Sequence, residues 1–172
     1  MSRLETPADL VKLREKIVAQ RKAKQTWLAV CAGTGCRAYG ADALADSLEE
    51  EIEKRGLGDK IGVRRTGCHG FCERGPLVVI QPSDVCYLGT QIKNIPDIVD
   101  KLRSGKEPIE KLLYLDEDGG KRLAHLDEIP FYKYQKRILL ENNVLIDASE
   151  ILDYIAVGGY SALAKVLSGI TP

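Results

Sequence analysis

Residues 66–80 read Thr66-Gly67-Cys68-His69-Gly70-Phe71-Cys72-Glu73-Arg74-Gly75-Pro76-Leu77-Val78-Val79-Ile80. Two cysteines spaced C-x3-C sit in a glycine-rich loop, a Gly-Pro break follows, and an unbroken apolar run comes after it. That run predicts a buried strand, and Pro82-Ser83-Asp84 then turns the chain so that Val85-Cys86-Tyr87-Leu88 can pair back as a hairpin. Upstream, Lys60 to Thr66 alternates Ile61 and Val63 against polar neighbours, which predicts a second strand ending in the cysteine loop.

The same arrangement occurs earlier in the chain. Trp27-Leu28-Ala29-Val30 is a short apolar strand that ends at Cys31, and Ala32-Gly33-Thr34-Gly35 forms a loop leading to Cys36. Trp27 is expected in the core. Ala41, Leu44, Leu48 and Ile52 recur at helical spacing and predict a helix stopped by Gly56 and Gly58. Thr6-Pro7 with Asp9 is a helix start, and Leu10, Leu13 and Ile17 predict an amphipathic helix over residues 7–24. Pro96 opens a further helix with Ile98, Val99 and Leu102 on its apolar face, ended by Ser104-Gly105. The order helix, strand, helix, three strands, helix is an α/β arrangement compatible with a thioredoxin-like layer.

From Lys106 the character changes. The acidic run Asp116-Glu117-Asp118 and Gly119-Gly120 read as a solvated turn, and residues 106–130 as a linker with one short hairpin. Asp147-Ala148-Ser149-Glu150 has the capping-box pattern. It predicts a helix through Ala156, broken at Gly158-Gly159, with another from Tyr160 to Leu167. These helices are too few to build a second core alone. The expected organisation is an N-terminal helix in residues 1–25, one domain over 26–105, and a linker with a short helical tail over 106–172.

Lys plus Arg and Asp plus Glu both number 25, so the formal charge is zero, which argues against a nucleic-acid partner. The composition, 44% hydrophobic and 29% charged, is that of a soluble globular chain. No apolar segment follows the first residues, and no run of about 18 apolar residues occurs, so neither a secretory signal nor a membrane span is expected. A reducing cytoplasm is the expected compartment. There, five cysteines are metal ligands or redox groups rather than disulfides.

Cys31, Cys36, Cys68 and Cys72 are the candidate metal ligands. Both pairs fall in glycine-containing loops at strand ends, where four thiolates can converge on one small volume. Thiolates and cluster sulfurs need N–H donors at close range, and Gly33, Gly35, Gly67, Gly70 and Gly75 let the backbone approach. Arg37, Arg64, Arg65 and Arg74 lie near enough in sequence to offset the negative charge, or to be plain surface charge. This pattern suits an iron–sulfur cluster, and a structural zinc site tolerates the same spacing. A C-x-x-C dithiol is absent, and a Rieske centre would need a second histidine beside His69, whereas His125 lies far along the chain. His69 itself is expected to face water or a backbone carbonyl. Cys86, mid-strand, reads as a small buried hydrophobe. Gly33-Thr34-Gly35-Cys36-Arg37-Ala38 falls one residue short of a dinucleotide fingerprint, and its flanking cysteines make it a ligand loop instead. No catalytic nucleophile–base pair is visible.

The pattern Cys31-x4-Cys36 … Cys68-x3-Cys72, with Gly75-Pro76 and the apolar hairpin, resembles the thioredoxin-like [2Fe–2S] ferredoxins, which include the small NADH-dehydrogenase subunit of complex I. The resemblance implies a [2Fe–2S] cluster on those four cysteines and one-electron transfer. Ile129-Pro130-Phe131-Tyr132-Lys133-Tyr134-Gln135, with Asp153-Tyr154-Ile155-Ala156-Val157-Gly158-Gly159-Tyr160-Ser161-Ala162-Leu163, resembles the start of the NADH-binding flavoprotein subunit of complex I and of NAD-linked, often electron-bifurcating, hydrogenases and formate dehydrogenases. That resemblance implies an N-terminal fragment or split gene product. The parent's FMN and NAD sites and [4Fe–4S] motif would lie beyond it, and its partners would be other redox subunits and the flavin domain.

Overall fold

The computed structural model describes residues 3–117 and 119–169; Met1, Ser2, residues 170–172 and Asp118 of the acidic run lie outside them. Helix α1 spans Pro7–Ala23 and opens on the predicted signal: Thr6 and Asp9 form a reciprocal capping box, with Pro7 at the first turn. Strand β1 is Thr26–Cys31, and the short helical turn α2, Thr34–Ala38, follows it. Helix α3 is Ala41–Lys54, with Ala41, Leu44, Ala45, Leu48 and Ile52 on its buried face. Its end is a Schellman motif: Gly56 has a positive φ of 66°, Leu57 N–H donates to Ile52 O at 3.0 Å and Gly56 N–H to Glu53 O at 2.9 Å. Strands β2 (Ile61–Thr66), β3 (Val78–Gln81) and β4 (Val85–Tyr87) complete the sheet, and α4 (Ile95–Ser104) covers it.

The sheet order is β2-β1-β3-β4. Strands β1 and β2 are parallel, with Leu28 opposite Val63 and Cys31 opposite Thr66. Strand β3 runs antiparallel to β1, pairing Val30 with Val78, and β4 antiparallel to β3, pairing Val79 with Cys86. Leu28, Leu44, Leu48, Leu77, Val78 and Ile98 are buried in the core between sheet and helices. Each such side chain stabilises the fold by roughly 1.5–3 kcal/mol relative to exposure.

Three expectations need correction. Trp27 lies outside the main core and is half-buried. Its ring covers Gly62, where a Cβ would come within 2.5 Å. The Arg64 guanidinium lies 4.1 Å and the Lys24 ammonium 5.4 Å from the ring centre, so the tryptophan joins the end of α1 to the sheet through two cation–π contacts.

The segment read as a linker packs against the domain. Hairpin strands β5 (Tyr114–Leu115) and β6 (Arg122–Leu123) form as expected, but Ile109, Leu112, Leu113 and Ile129 are buried in the main core. Leu88 N–H donates to Leu112 O at 2.8 Å, Cys86 N–H to Ala124 O at 2.8 Å, and Leu126 N–H to Asp84 O at 3.1 Å. The segment thereby covers the free edge of β4, satisfying amides that an open edge would expose.

The predicted cap at Asp147 does not start a helix. Its carboxylate accepts from Ser149 N–H at 2.9 Å in a local turn, a competing use that Asp side chains offer the backbone. After the one-turn helix α5 (Pro130–Lys133), α6 begins later, at Ile151–Ala156, and α7 spans Ser161–Gly169. These tail helices pack on α1, where Leu10, Ile17 and Ile155 form a separate small cluster. Arg14 Nε donates to Ile155 O at 2.9 Å, and Asp153 joins Arg21 of α1 to Arg64 of β2. The tail therefore acquires a core by borrowing the face of α1. Among the described residues, no helix is long and apolar enough to cross a membrane.

Candidate metal centre

The parallel pairing of β1 and β2 explains why the cysteines meet. Cys31 ends β1 in register with Thr66, which ends β2, so the loops carrying Cys36 and Cys68 leave from the same end of the sheet. Ala32 N–H donates to Thr66 O at 2.8 Å and Cys31 N–H to Leu77 O at 3.0 Å. The second contact holds the 72–77 segment at that end as well, because β3 returns antiparallel. Cys36 sits on α2 rather than in an open loop, and Cys72 begins a 3-10 turn through Arg74.

Cys31 and Cys36 are buried, Cys68 is half-buried and Cys72 is exposed. The Cys68 and Cys72 sulfurs are 3.9 Å apart. The Cys31 thiol is drawn down to about 6, chiefly by its hydrogen bond with Cys36, with the His69 and Gly33 amides and Cys68 adding and burial opposing. The same pairing pushes Cys36 up, with burial and the Cys31 charge in the same direction. Cys72 is raised by its hydrogen bond with Cys68 and that neighbour's charge. Cys31, Cys36 and Cys72 thus each feel a neighbouring thiol, and charge on Cys31 resists deprotonation of Cys36. A bound cation relieves that conflict.

The backbone around the sulfurs leaves no room for side chains. A Cβ on Gly75 would lie 2.7 Å from Cys36 Sγ, one on Gly33 would lie 2.8 Å from Cys68 Cβ and 3.1 Å from its Sγ, and one on Gly35 would lie 3.1 Å from Cys72 Cβ. Gly70 N–H donates to Cys68 Sγ at 3.3 Å. Four soft sulfur donors, close glycine backbone and amides aimed at sulfur fit an iron–sulfur group. Among the described residues, no three His, Cys, Asp or Glu side chains close around a single-ion point.

His69 departs from expectation: it is fully buried, with Nε2 2.7 Å from Thr66 Oγ1, and its Nδ1 has no partner among the described residues. Burial pushes it down to about 4, with the Arg137 charge adding. His125 is exposed on the covering segment, its Nδ1 2.9 Å from Ser83 O, so the two histidines serve separate places. Cys86 is buried mid-strand as expected and is pushed up to about 12 by burial, with the Cys31 charge adding.

The four arginines singled out by sequence are engaged elsewhere. Arg37 pairs with Asp42 at 2.9 Å, Arg65 with Asp46 and Glu49, Arg64 with Asp153, and Arg74 lies near Glu73 and Glu117. The cation at the ligand loop is Arg137, which sequence reasoning missed. Its guanidinium donates to His69 O and lies 4.9 Å from the Tyr132 ring centre. Phe131 stacks on Phe71, and Asn143 packs against Gly67 with its amide 3.5 Å from Cys68 O. Three tail side chains therefore close over the Cys68–Cys72 loop. The only local signal was the aromatic pair Phe131-Tyr132 followed by basic residues, and nothing in that spacing points back to residue 68.

Comparisons with known proteins identify the family. The family model for the thioredoxin-like [2Fe–2S] ferredoxin matches residues 16–103. A 2Fe–2S ferredoxin of Clostridium pasteurianum is 29% identical over 77 residues, covering 45% of this chain and 76% of that protein. One from Aquifex aeolicus is 40% identical over 48 residues, covering 28% of this chain and 43% of that protein. The crystal structure of the thioredoxin-like [2Fe–2S] ferredoxin from Aquifex aeolicus aligns with 27% identity and a TM-score of 0.48, over 52% of this chain and 96% of that one. With its α/β sheet, its four converging cysteines and a family match over half its length, the chain belongs to the thioredoxin-like [2Fe–2S] ferredoxins.

Proposed function

We propose that this chain passes single electrons through a [2Fe–2S] cluster held by Cys31, Cys36, Cys68 and Cys72. The observation that carries the reading is the meeting of these four thiols at one end of the parallel β1–β2 pair, under glycines whose Cβ atoms would strike the sulfurs. A [2Fe–2S] group bound there supplies one-electron acceptance and donation, with no bond made or broken in a substrate. The protein's part is ligation, shielding and access. Buried Cys31 and Cys36 keep water from one side, the Gly70 amide donates to a ligand sulfur, and exposed Cys72 faces a partner.

The wider setting is an NAD(H)-dependent flavoprotein oxidoreductase complex in the cytoplasm, with the [2Fe–2S] domain extended by the packed 106–130 segment and the beginning of a flavoprotein domain in the tail that follows. The sequence of 129–135 and 153–163 supports this. The parent's flavin domain and other redox subunits are the partners, and FMN, NAD and a [4Fe–4S] cluster belong to the parent's further part.

Anaerobic purification followed by a visible spectrum and iron and sulfide assays tests the central reading. Brown protein with about two of each per chain, EPR-silent until reduced, supports it. Colourless protein with about one zinc per chain sinks it and leaves a zinc-stabilised interaction module. For the complex, purification from the native cells at low salt should bring FMN with the chain, and a consistently flavin-free preparation counts against that setting.

A further inference from the structure

The peptide unit between His69 and Gly70 links two groups. Its N–H, on Gly70, donates to Cys68 Sγ at 3.3 Å. Its carbonyl, on His69, accepts from the Arg137 guanidinium. One peptide thus carries a permanent cation on its oxygen side and a proposed ligand sulfur on its hydrogen side. A Cβ on Gly70 would lie 3.7 Å from Arg137 Nη2, so the guanidinium rests against the loop itself.

We propose that Arg137 is a positioning residue that sets the ease of reduction of the centre, acting through the His69–Gly70 peptide. The proposal rests on Cys68 being a cluster ligand. A hydrogen bond to a carbonyl oxygen polarises the amide and strengthens donation from its N–H. Reduction adds one electron and no atom to the centre, so one unit of negative charge appears there. A cation beside the loop and a stronger N–H donor both favour that state, and both raise the reduction potential. Arg137 is held for the task. Its guanidinium lies over the Tyr132 ring, and Tyr132 is braced edge-on by Phe71 and Phe131, at 5.8 and 5.0 Å between ring centres. The cation comes from the tail, beyond the residues matched by the family model, so its influence is added to the ferredoxin domain from outside.

The test is an EPR-monitored redox titration of the full-length chain, native and with Arg137→Gln or Arg137→Lys. Arg137→Gln removes the charge and should shift the reduction equilibrium about tenfold, moving the midpoint about 59 mV more negative for a one-electron couple. Arg137→Lys keeps the charge without the forked donor and should fall between. A Gln variant that holds its cluster at the native midpoint overturns the proposal, even if it is less stable, because a merely structural role moves stability and not potential. Should the Gln variant fail to retain the cluster, amide exchange on the native chain decides. Slow exchange at Gly70 supports the hydrogen-bond chain, and exchange at the rate of a free amide overturns it. A native chain without iron would instead defeat the ligand assignment, a separate outcome visible before any titration.

Discussion

Phe131 lies flat on Phe71, the ring centres 4.4 Å apart and the planes 5° from parallel. Phe71 is buried in the loop between Cys68 and Cys72, and Phe131 belongs to the tail. The pair is the apolar half of a closure whose polar half is Arg137 on His69 O and Asn143 on Cys68 O. Phe131→Ala should cost roughly 0.5–1.5 kcal/mol from the ring pair beyond the area it buries. Limited proteolysis should then cut residues 131–143 faster than in the native chain. An unchanged cleavage pattern would show that the stack does not hold the tail.

Cys31→Ser and Cys72→Ser should abolish or strongly perturb the visible spectrum, since each removes a proposed ligand. Cys86→Ala should leave the spectrum intact and cost only stability, because Cys86 is buried mid-strand as a small hydrophobe. Iron content per chain separates the two classes. A normal spectrum from the Cys31 or Cys72 variant would refute the ligand set.

Gly75→Ala places a methyl 2.7 Å from Cys36 Sγ and 3.3 Å from Cys72 O. Neither neighbour is the free end of a flexible chain, so the Cys36 sulfur, a proposed ligand, must shift and cluster loading should fall severalfold. Gly169→Ala meets nothing within 4 Å and serves as the control. Equal iron content in the two variants would contradict the close-approach argument.

Asp153→Asn removes the carboxylate shared by Arg21 and Arg64, with side-chain exposures of 14%, 20% and 10% respectively. Hydrogen bonds to charged groups contribute about 1.5–3 kcal/mol, and the two half-buried arginines would lose their common counter-charge. Denaturant unfolding should show destabilisation of that order, and α1 should become more sensitive to protease. A change within experimental scatter would place this network among surface pairs that contribute little.

Asp9 gives α1 an acid dependence. Its carboxyl is held below the ordinary carboxylate value, first by the hydrogen bond from the Thr6 hydroxyl and then by the Thr6 amide, with burial opposing and the Glu5 amide and Lys12 charge adding. A depressed folded value means that the cap's contribution is complete above the unfolded value, about 3.9, and is lost as pH falls through the lower folded one. Protease attack at the start of α1, read against a denatured control at each pH, should therefore rise below about pH 4. Asp9→Asn should flatten that rise.

Much of the fold was legible because its signals are local. The Thr6-Pro7-Asp9 start, the apolar period of α3 with its glycine stop, and the Val78–Tyr87 hairpin each depend on side chains within one or two turns of each other. The four cysteines were legible for a related reason: loops that leave neighbouring strand ends converge once β1 and β2 pair in parallel. Where local reading failed, a distant partner had intervened. Trp27 left the main core because Gly62 offered it a flat seat within reach of Lys24 and Arg64. The segment after Lys106 packed because β4 had an edge to cover, and Asp147 turned its carboxylate to Ser149 instead of capping a helix.

The sequence by itself determined which four cysteines are the candidate ligands, the α/β order and the glycines that let backbone approach sulfur, because these follow from residue type and short-range geometry. Only the tertiary structure decided that Phe131, Arg137 and Asn143 close on a loop 60 to 75 residues before them. That contact depends on where the chain returns after covering β4 and on the α1 face that α6 and α7 bury. Long-range packing of this kind has no period to read.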